Sequence, residues 1–474
     1  MIKAARAVSI RVIFISVLWF CASNSADAYG STGTGLHSQA SPKTPQQSGS
    51  GGGVQDTLSL EECIAIAVKD NPRIGYRGWK VEEAQAERDW AAGQRWPDLR
   101  GSGSYSLYSK TERMVPPREP GYPMVFADEV VSWNIYARIP IFTGGRISNE
   151  VGAMDLLEDS ARNLMNFTRM ELVYEVTSIY YCILKQRRII ESLDFSHSTL
   201  GEHLEKIKAL KAMEKASKAD MLRVEVRLAD IIQRLELEKS TLAVLKRSLS
   251  NLMGLDRNDI TIRPVGDLCL DEQEVEIEEA LQSAYTNRAD YLAARKEVEA
   301  QARRVKASRA AYWPSVSLFA SYSGEKALGS YIAIPGASDY EDIGRVGCVL
   351  EFPIFEGGKR GSELDMEKAK LAGLKNKLRE LELQIRLEVE SAGYHLASTR
   401  KRLAATGKAV EQALESLRIE KEKYDLGKGT ITDVLDAESA LLEMRTNRYV
   451  AMADYNLQIA FLRFATGEGN ESDR

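Results

Sequence analysis

Between residues 131 and 139 apolar and polar side chains alternate: Val131, Trp133, Ile135, Ala137 and Ile139 against Ser132, Asn134, Tyr136 and Arg138. A two-residue period is that of a strand with one apolar and one polar face. The alternation returns at 345–354. Val346, Cys348, Leu350, Phe352 and Ile354 stand against Arg345, Gly347 and Glu351, with Val349 as the exception. Each run ends in Pro-Ile-Phe, then Gly-Gly, then a basic residue: Pro140, Gly144, Gly145 and Arg146 in the first copy, Pro353, Gly357, Gly358 and Lys359 in the second. Upstream of each run stands Trp-Pro, at Trp96-Pro97 and Trp313-Pro314, followed by another alternation. Val316, Leu318, Ala320 and Tyr322 oppose Ser315, Ser317, Ser321 and Ser323, with Phe319 out of pattern. In the first copy Leu99, Tyr105 and Leu107 oppose Ser102, Ser104 and Ser106, and Gly101 and Gly103 weaken the pattern.

Beyond each Gly-Gly the period changes to that of a helix. Unbroken helical patterns are expected over about 146–214 and 359–426, each returning through a turn into a second helix, 218–253 and 431–465. Helices of that length rise about 100 Å at 1.5 Å per residue. Charged outer faces without a globular interruption read as coiled coil. A helix also precedes each Trp-Pro. The first starts after Ser59 with Glu61 and Glu62 in its opening turn, breaks near Asn71-Pro72 and resumes to about Arg95; the second runs to about Ala311.

The copies sit at a constant distance. Pro140 and Pro353 are 213 residues apart, Trp96 and Trp313 are 217 apart, and Asp220, Glu225 and Gly254 match Asp433, Glu438 and Gly467 at 213. The chain is an internal duplication. It divides into a leader (1–28), a Gly/Ser/Gln/Pro-rich arm (29–56), a first repeat (57–267), a second repeat (268–467) and a polar tail (468–474).

The pairs of strands are joined by long polar links, 110–127 and 324–342, uncommon in a compact core and ordinary at the outer face of a membrane barrel. Four strands per chain are too few: a closed barrel in lipid needs at least about eight, and open edges are not tolerated there. If these strands face lipid, several chains must close the barrel together.

Charge changes little in this picture. Lys plus Arg is 63 and Asp plus Glu is 68, a net −5, so the basic field expected of a nucleic-acid binder is missing. Lys3, Arg6 and Arg11, the apolar run Val12–Ala22 and Ala26-Asp27-Ala28 form an export signal, with Tyr29 opening the mature chain; the apolar run is short for a membrane anchor. Leu18, Trp19 and Phe20 are a poor context for lipid attachment at Cys21. Cys63, Cys182, Cys269 and Cys348 show no CxxC pair, and Cys63, Cys182 and Cys348 lie in apolar patterns that read as buried thiols. No Walker loop, GxSxG, HExxH, Rossmann fingerprint or calcium loop occurs, so neither an enzyme nor a cofactor is expected.

The candidate chemistry sits at the second turn. Leu426-Gly427-Lys428-Gly429 is a tight tip, followed by Thr432, or alternatively Thr430, as the N-cap of the returning helix. Asp433 and Asp436 follow, three apart on one face. They read either as helix-end carboxylates or, with several chains around an axis, as a ring that attracts cations. Arg223 stands where the second copy has Asp436, which leaves an Arg223–Asp436 pair open. The Gly-Gly junctions read as steric hinges from strand to helix.

The duplicated strand–loop–strand, Pro-Ile-Phe-x-Gly-Gly, long helix and the stretch LGKGTITDVLDAESALLEMRTNRYVAMADYNLQIAFLRFATG together resemble the TolC-like outer membrane efflux proteins, over about 57–467. The resemblance implies a mixed α and β fold: a homotrimer with a 12-stranded β-barrel in outer membrane lipid, four strands per chain, continued by a long α-helical tunnel in the periplasm. It implies a periplasmic adaptor and an inner membrane transporter as partners, and passive conduction. It assigns Asp433 and Asp436 to the periplasmic entrance and Leu426, Gly427, Lys428 and Gly429 to the adaptor-contacting tip. The first tip, near Ala216 to Ala219, lacks the Gly-x-Gly, which sets the two tips apart. A type I protein secretion duct uses the same architecture; a non-conducting coiled-coil scaffold or adhesin is the alternative of another class.

Overall fold

The computed structural model describes residues 57–113, 125–214, 217–255, 263–264, 276–333, 336 and 338–468. The expected export signal, Cys21, the polar arm up to residue 56, Ala216, Cys269 and the tail beyond 468 lie outside the described residues. In chain order the elements are β1 (Thr57–Leu58), α1 (Leu60–Asp70), α2 (Pro72–Gly93), β2 (Asp98–Arg113), β3 (Val125–Phe142), α3 (Arg146–Ala212), α4 (Lys218–Leu252), β4 (Arg263–Pro264), α5 (Ile277–Asn287), α6 (Ala289–Arg309), β5 (Ser315–Ala333), β6 (Tyr340–Glu351), α7 (Lys359–Asp425) and α8 (Ile431–Thr466). They fall into a sheet unit, Gln94–Thr143 with Pro314–Pro353, and a helical unit drawn from the rest.

In the sheet unit four strands pair antiparallel in the order β2-β3-β5-β6. The register joins the separate alternations into one. Gly103, Trp133, Gly324 and Asp342 are cross-strand partners, as are Leu99, Ala137, Ala320 and Val346. Directly opposed residues share a face, so Leu99, Trp133, Ala137, Ala320, Val346 and Leu350 lie on one side, with Lys326 and Asp342 towards its far end, and Ser102, Asn134, Ser323 and Arg138 on the other, which also carries Val130 and Ala327 of a small buried cluster. The apolar side is bare, with Leu99, Tyr105, Val346 and Leu350 exposed.

Phe319, out of pattern in the sequence, takes the polar side, where its ring stacks with Tyr136 (6.3 Å between centroids) and covers its partner Gly347. Trp133 covers Gly324 on the apolar side and meets Tyr322 edge-on at 5.2 Å. Glycine opposite a large ring makes room for it on each face. The strands run further into the links than expected: β2 reaches Arg113, and between β5 and β6 only residues 334–339 remain. Backbone pairing continues there although the side chains turn polar, because a ladder needs no apolar side chain. Cys348, expected to be buried, is exposed on the apolar side of this sheet; Cys63 is buried and Cys182 half-buried.

In the helical unit, α3 and α7 each have 67 residues and start 213 positions apart. Ser59 caps α1 through a box with Glu62. The break before Pro72 is where it was expected, and Asn71 ties it down by donating to the carbonyl of Leu252 at 2.7 Å. The second copy breaks at Arg288, 217 positions on, between α5 and α6, and Ala310–Tyr312 is a 3₁₀ turn, so the single helix expected up to Ala311 is two helices and a turn. No proline marks this break. The buried guanidinium of Arg288 holds it, bonded to Asp290 at 2.9 Å and Glu388 at 2.5 Å.

Towards the two turns, α3, α4, α7 and α8 share a core that includes Leu193, Leu200, Ile207, Val224, Ile231, Leu417, Val434 and Leu441. A second core gathers Cys63, Leu172, Val176, Ile183, Leu249 and Met253. There burial, with Glu62 nearby, pushes the Cys63 thiol up to about 11. No helix among the described residues is long and apolar enough to cross a membrane.

Candidate functional site

The second turn is built by its backbone. At the end of α7, Gly427 takes φ +70, the Lys428 N–H donates to the Lys423 carbonyl at 2.8 Å, and the Gly427 N–H donates to Tyr424 at 3.0 Å. That is a Schellman closure, which needs a left-handed residue where Gly427 stands. Leu426 projects from the tip and is exposed.

The helix that follows is capped by Thr430, the second of the two threonines read from the sequence. Thr432 already lies inside α8. The Thr430 hydroxyl accepts from the Asp433 N–H at 3.3 Å, and the Asp433 carboxylate accepts from the Thr430 N–H at 2.9 Å and its hydroxyl at 2.6 Å. The Thr430 hydroxyl, and then its N–H, hold the Asp433 carboxyl below the usual carboxylate range. Asp433 and Asp436 are both exposed, on the face of α8 turned away from Val434 and Leu435. Arg223 does not reach Asp436 within the chain. It donates to the Thr432 hydroxyl at 2.8 Å and lies 3.8 Å from Asp220. A threonine hydroxyl between the two hairpins intercepts it.

The first turn has the same capping box one repeat earlier, Ser217 with Asp220. Where the second copy has Gly427, the first has Glu214, held at φ +58. The geometry is kept and the glycine is not, at the strain cost of a left-handed non-glycine residue.

Behind the tips lies a cluster the sequence did not reveal. Glu438, nine-tenths buried on α8, sits 3.1 Å from His203 Nε2 of α3 and accepts from Lys421 Nζ of α7 at 3.0 Å. Burial alone would raise its carboxyl, but hydrogen bonds from His203 and Lys421 reverse this and hold it below the ordinary range. Its Oε2 is buried without a hydrogen-bond partner. Nearer the tip Lys206 pairs with Asp425 at 2.8 Å on the surface and lies over the Tyr424 ring. His203 and Glu438 are 235 positions apart, so no local pattern announces the contact.

The glycine pairs stand at the two strand-to-helix junctions in left-handed backbone. Gly144 and Gly145 take φ +63 and +86; Gly357 and Gly358 take +60 and +84. A Cβ on Gly144 would stand 2.8 Å from Trp313 Cβ and 2.9 Å from the Ala310 carbonyl, whereas one on Gly357 would meet nothing within 4 Å. Pro140 sits at a register shift at the end of β3, where a missing N–H is tolerated, and Pro353 lies past the end of β6. Among the described residues no group of His, Cys, Asp and Glu is arranged to hold a metal ion.

Residues 280–468 match the family described as Outer membrane efflux protein. The outer membrane protein TolC of Vibrio cholerae is 20% identical over 324 residues, 68% of this chain and 74% of that protein. The outer membrane efflux protein BepC of Brucella suis is 21% identical over 329 residues, 69% and 70% of the two chains. The solved structure of the outer membrane protein VceC from Vibrio cholerae superposes with a TM-score of 0.73 at 18% identity, covering 86% of this chain and 96% of that one. The match of residues 280–468, the two relatives and the fold shared with VceC all support a TolC-like outer membrane factor.

Proposed function

We propose that the chain is one third of a passive exit duct in the outer membrane, and that substrates enter at the hairpin turns and leave through the barrel. The observation that carries this reading is the four-stranded sheet, apolar along most of one side, with β2 and β6 as its outer strands. In lipid those edges must be closed, and four strands cannot close on themselves. Three copies give 12 strands. The two repeats, 57–267 and 268–467, then contribute two strands and one helical hairpin each.

The chain has no nucleotide-binding loop, so the driving energy comes from a partner transporter in the inner membrane. A periplasmic adaptor links the two. Leu426, Gly427, Lys428 and Gly429 are the surface offered to it, an exposed apolar side chain and a cation on a rigid turn. Asp433 and Asp436 of three copies form the entrance ring. Six carboxylates about one axis attract divalent cations, and those cations obstruct the opening.

Single-channel conductance of the full protein in a planar bilayer tests the reading. Small steps blocked by millimolar divalent cations are expected, with the block lost in the double variant Asp433→Asn, Asp436→Asn. Block that persists in the variant moves the constriction elsewhere. Folded, inserted protein that gives no steps overturns the conduit.

A further inference from the structure

One ring on the polar side of the sheet breaks the rule of its strand. Phe319 of β5 interrupts the alternation and turns to that side. There it stacks with Tyr136 of β3 at an interplanar angle of 20° and spreads over Gly347 of β6. A Cβ at position 347 would stand 2.7 Å from the ring, so only glycine leaves it this place. The register sets guanidinium groups around the pair. Arg138 is the cross-strand partner of Phe319 on β3, and Arg345 is the next residue of that face beside Gly347 on β6. Arg100, Tyr136, Ser321 and Arg345 form the adjoining row.

Two of these cations are engaged. Arg100 pairs with Asp98 at 2.6 Å, and Arg138 donates to the Ser317 hydroxyl at 3.1 Å, with Glu351 at 4.0 Å. Arg345 is exposed and has no ion-pair partner among the described residues. Three guanidinium groups thus stand against two carboxylates. The next carboxylates along this side, Glu325 and Glu341, are four residues further on along β5 and β6. That is about 13 Å along the strands, beyond the screening length of about 8 Å at physiological salt.

We propose that the stacked pair and Arg345 form a binding platform for small planar aromatic anions, the aryl carboxylates and sulfonates. The inference rests on the duct reading, which makes the polar side the water-filled one, and deepens it by naming a substrate class. The ring faces left free by the stack offer a surface to another aromatic group, and the guanidinium offers paired N–H donors to anionic oxygens. An aliphatic anion finds the charge without the surface. An aromatic cation finds the surface and is repelled. Holding β3 to β5 would need the two rings but not Arg345, and the test separates these roles.

Full-length protein in lipid nanodiscs is titrated with naphthalene-2-sulfonate, and binding is read by saturation-transfer NMR against empty nanodiscs. Binding is expected to weaken with added salt. It should be roughly tenfold tighter than that of cyclohexanesulfonate or 2-naphthylmethylammonium. Arg345→Gln should weaken it by a similar factor and leave thermal unfolding unchanged. Phe319→Leu, which keeps an apolar cover on Gly347, should weaken it too; Val346→Ala, on the other side of β6, should not. Equal binding of either comparison compound, or binding untouched by Arg345→Gln or Phe319→Leu, overturns the platform. So does the absence of binding by protein that conducts in the planar bilayer, which leaves the duct standing. Binding with the expected dependences by protein that gives no conductance steps overturns the duct and keeps the platform. Neither binding nor conductance overturns both.

Discussion

Glu214 and Gly427 occupy the same place in two copies of one turn, and only one of them is suited to it. Both have φ between +58 and +70. A left-handed backbone costs a non-glycine residue about 1 kcal/mol, partly offset by the greater freedom a glycine has when unfolded. Glu214→Gly is therefore expected to stabilise the first hairpin by a few tenths to about 1 kcal/mol, seen as slower amide exchange near the turn. Unchanged or faster exchange would show that Glu214 gains more from its surroundings than its backbone loses. Thr430 works in the opposite sense. Thr430→Ala removes a cap and should cost about 1 kcal/mol in thermal unfolding. It also releases Asp433, whose depressed carboxyl makes the box pH-dependent. The stabilisation is complete above the ordinary carboxylate range and disappears as pH falls through the lowered value. The wild type should lose this increment on acidification and Thr430→Ala should not.

At the scale of elements, the two hairpins are held together by contacts of unequal weight. Lys206–Asp425 is about half exposed on both sides, and exposed pairs contribute about 0–1 kcal/mol. Lys206→Met should leave thermal unfolding almost unchanged. Glu438 is buried between His203 and Lys421. Glu438→Ala removes the partner of the largely buried His203, leaves Lys421 to solvent and opens space beside Leu441, with an expected cost of about 2 kcal/mol. Glu438 has a depressed carboxyl, so its contribution holds above the ordinary range and is lost as pH falls through the lowered value. A midpoint shift equal to that of Lys206→Met would show that burial adds nothing at this cluster. The core behind it, Leu200, Ile207, Val224 and Val434, is what both contacts orient.

For the whole molecule the sheet is the decisive surface. Its apolar side carries Val346 and Leu350, while Ser102 lies on the polar side. A lysine among lipid tails costs about 2–4 kcal/mol at mid-depth, and one facing an aqueous interior costs little. Leu350→Lys should therefore reduce the heat-resistant, membrane-inserted fraction on gels, and Ser102→Lys should not. Equal effects would mean that the two sides do not face different solvents.

Periodicity, repeats and breakers were enough to place nearly every element, because these are properties of neighbours along the chain. The alternation at 131–139 is a strand by its period alone, the Pro-Ile-Phe-x-Gly-Gly ends mark the change from strand to helix by their dihedral needs, and the 213-residue offset states the duplication without any contact. The tip was legible for the same reason: Gly427 and Asp433 act on residues three or four positions away. What the tertiary structure decided depends on partners far along the chain. The break at Arg288 is held by Glu388, the buried carboxylate of Glu438 by His203, and the bulk of Phe319 by a glycine on the next strand. The unequal burial of α2 and α6 belongs with these. Matching positions of the two repeats are core in one, Ala293 and Ala307, and surface in the other, Tyr76 and Trp90, because burial depends on what stands opposite, and that is set only when the chain comes back to cover the face.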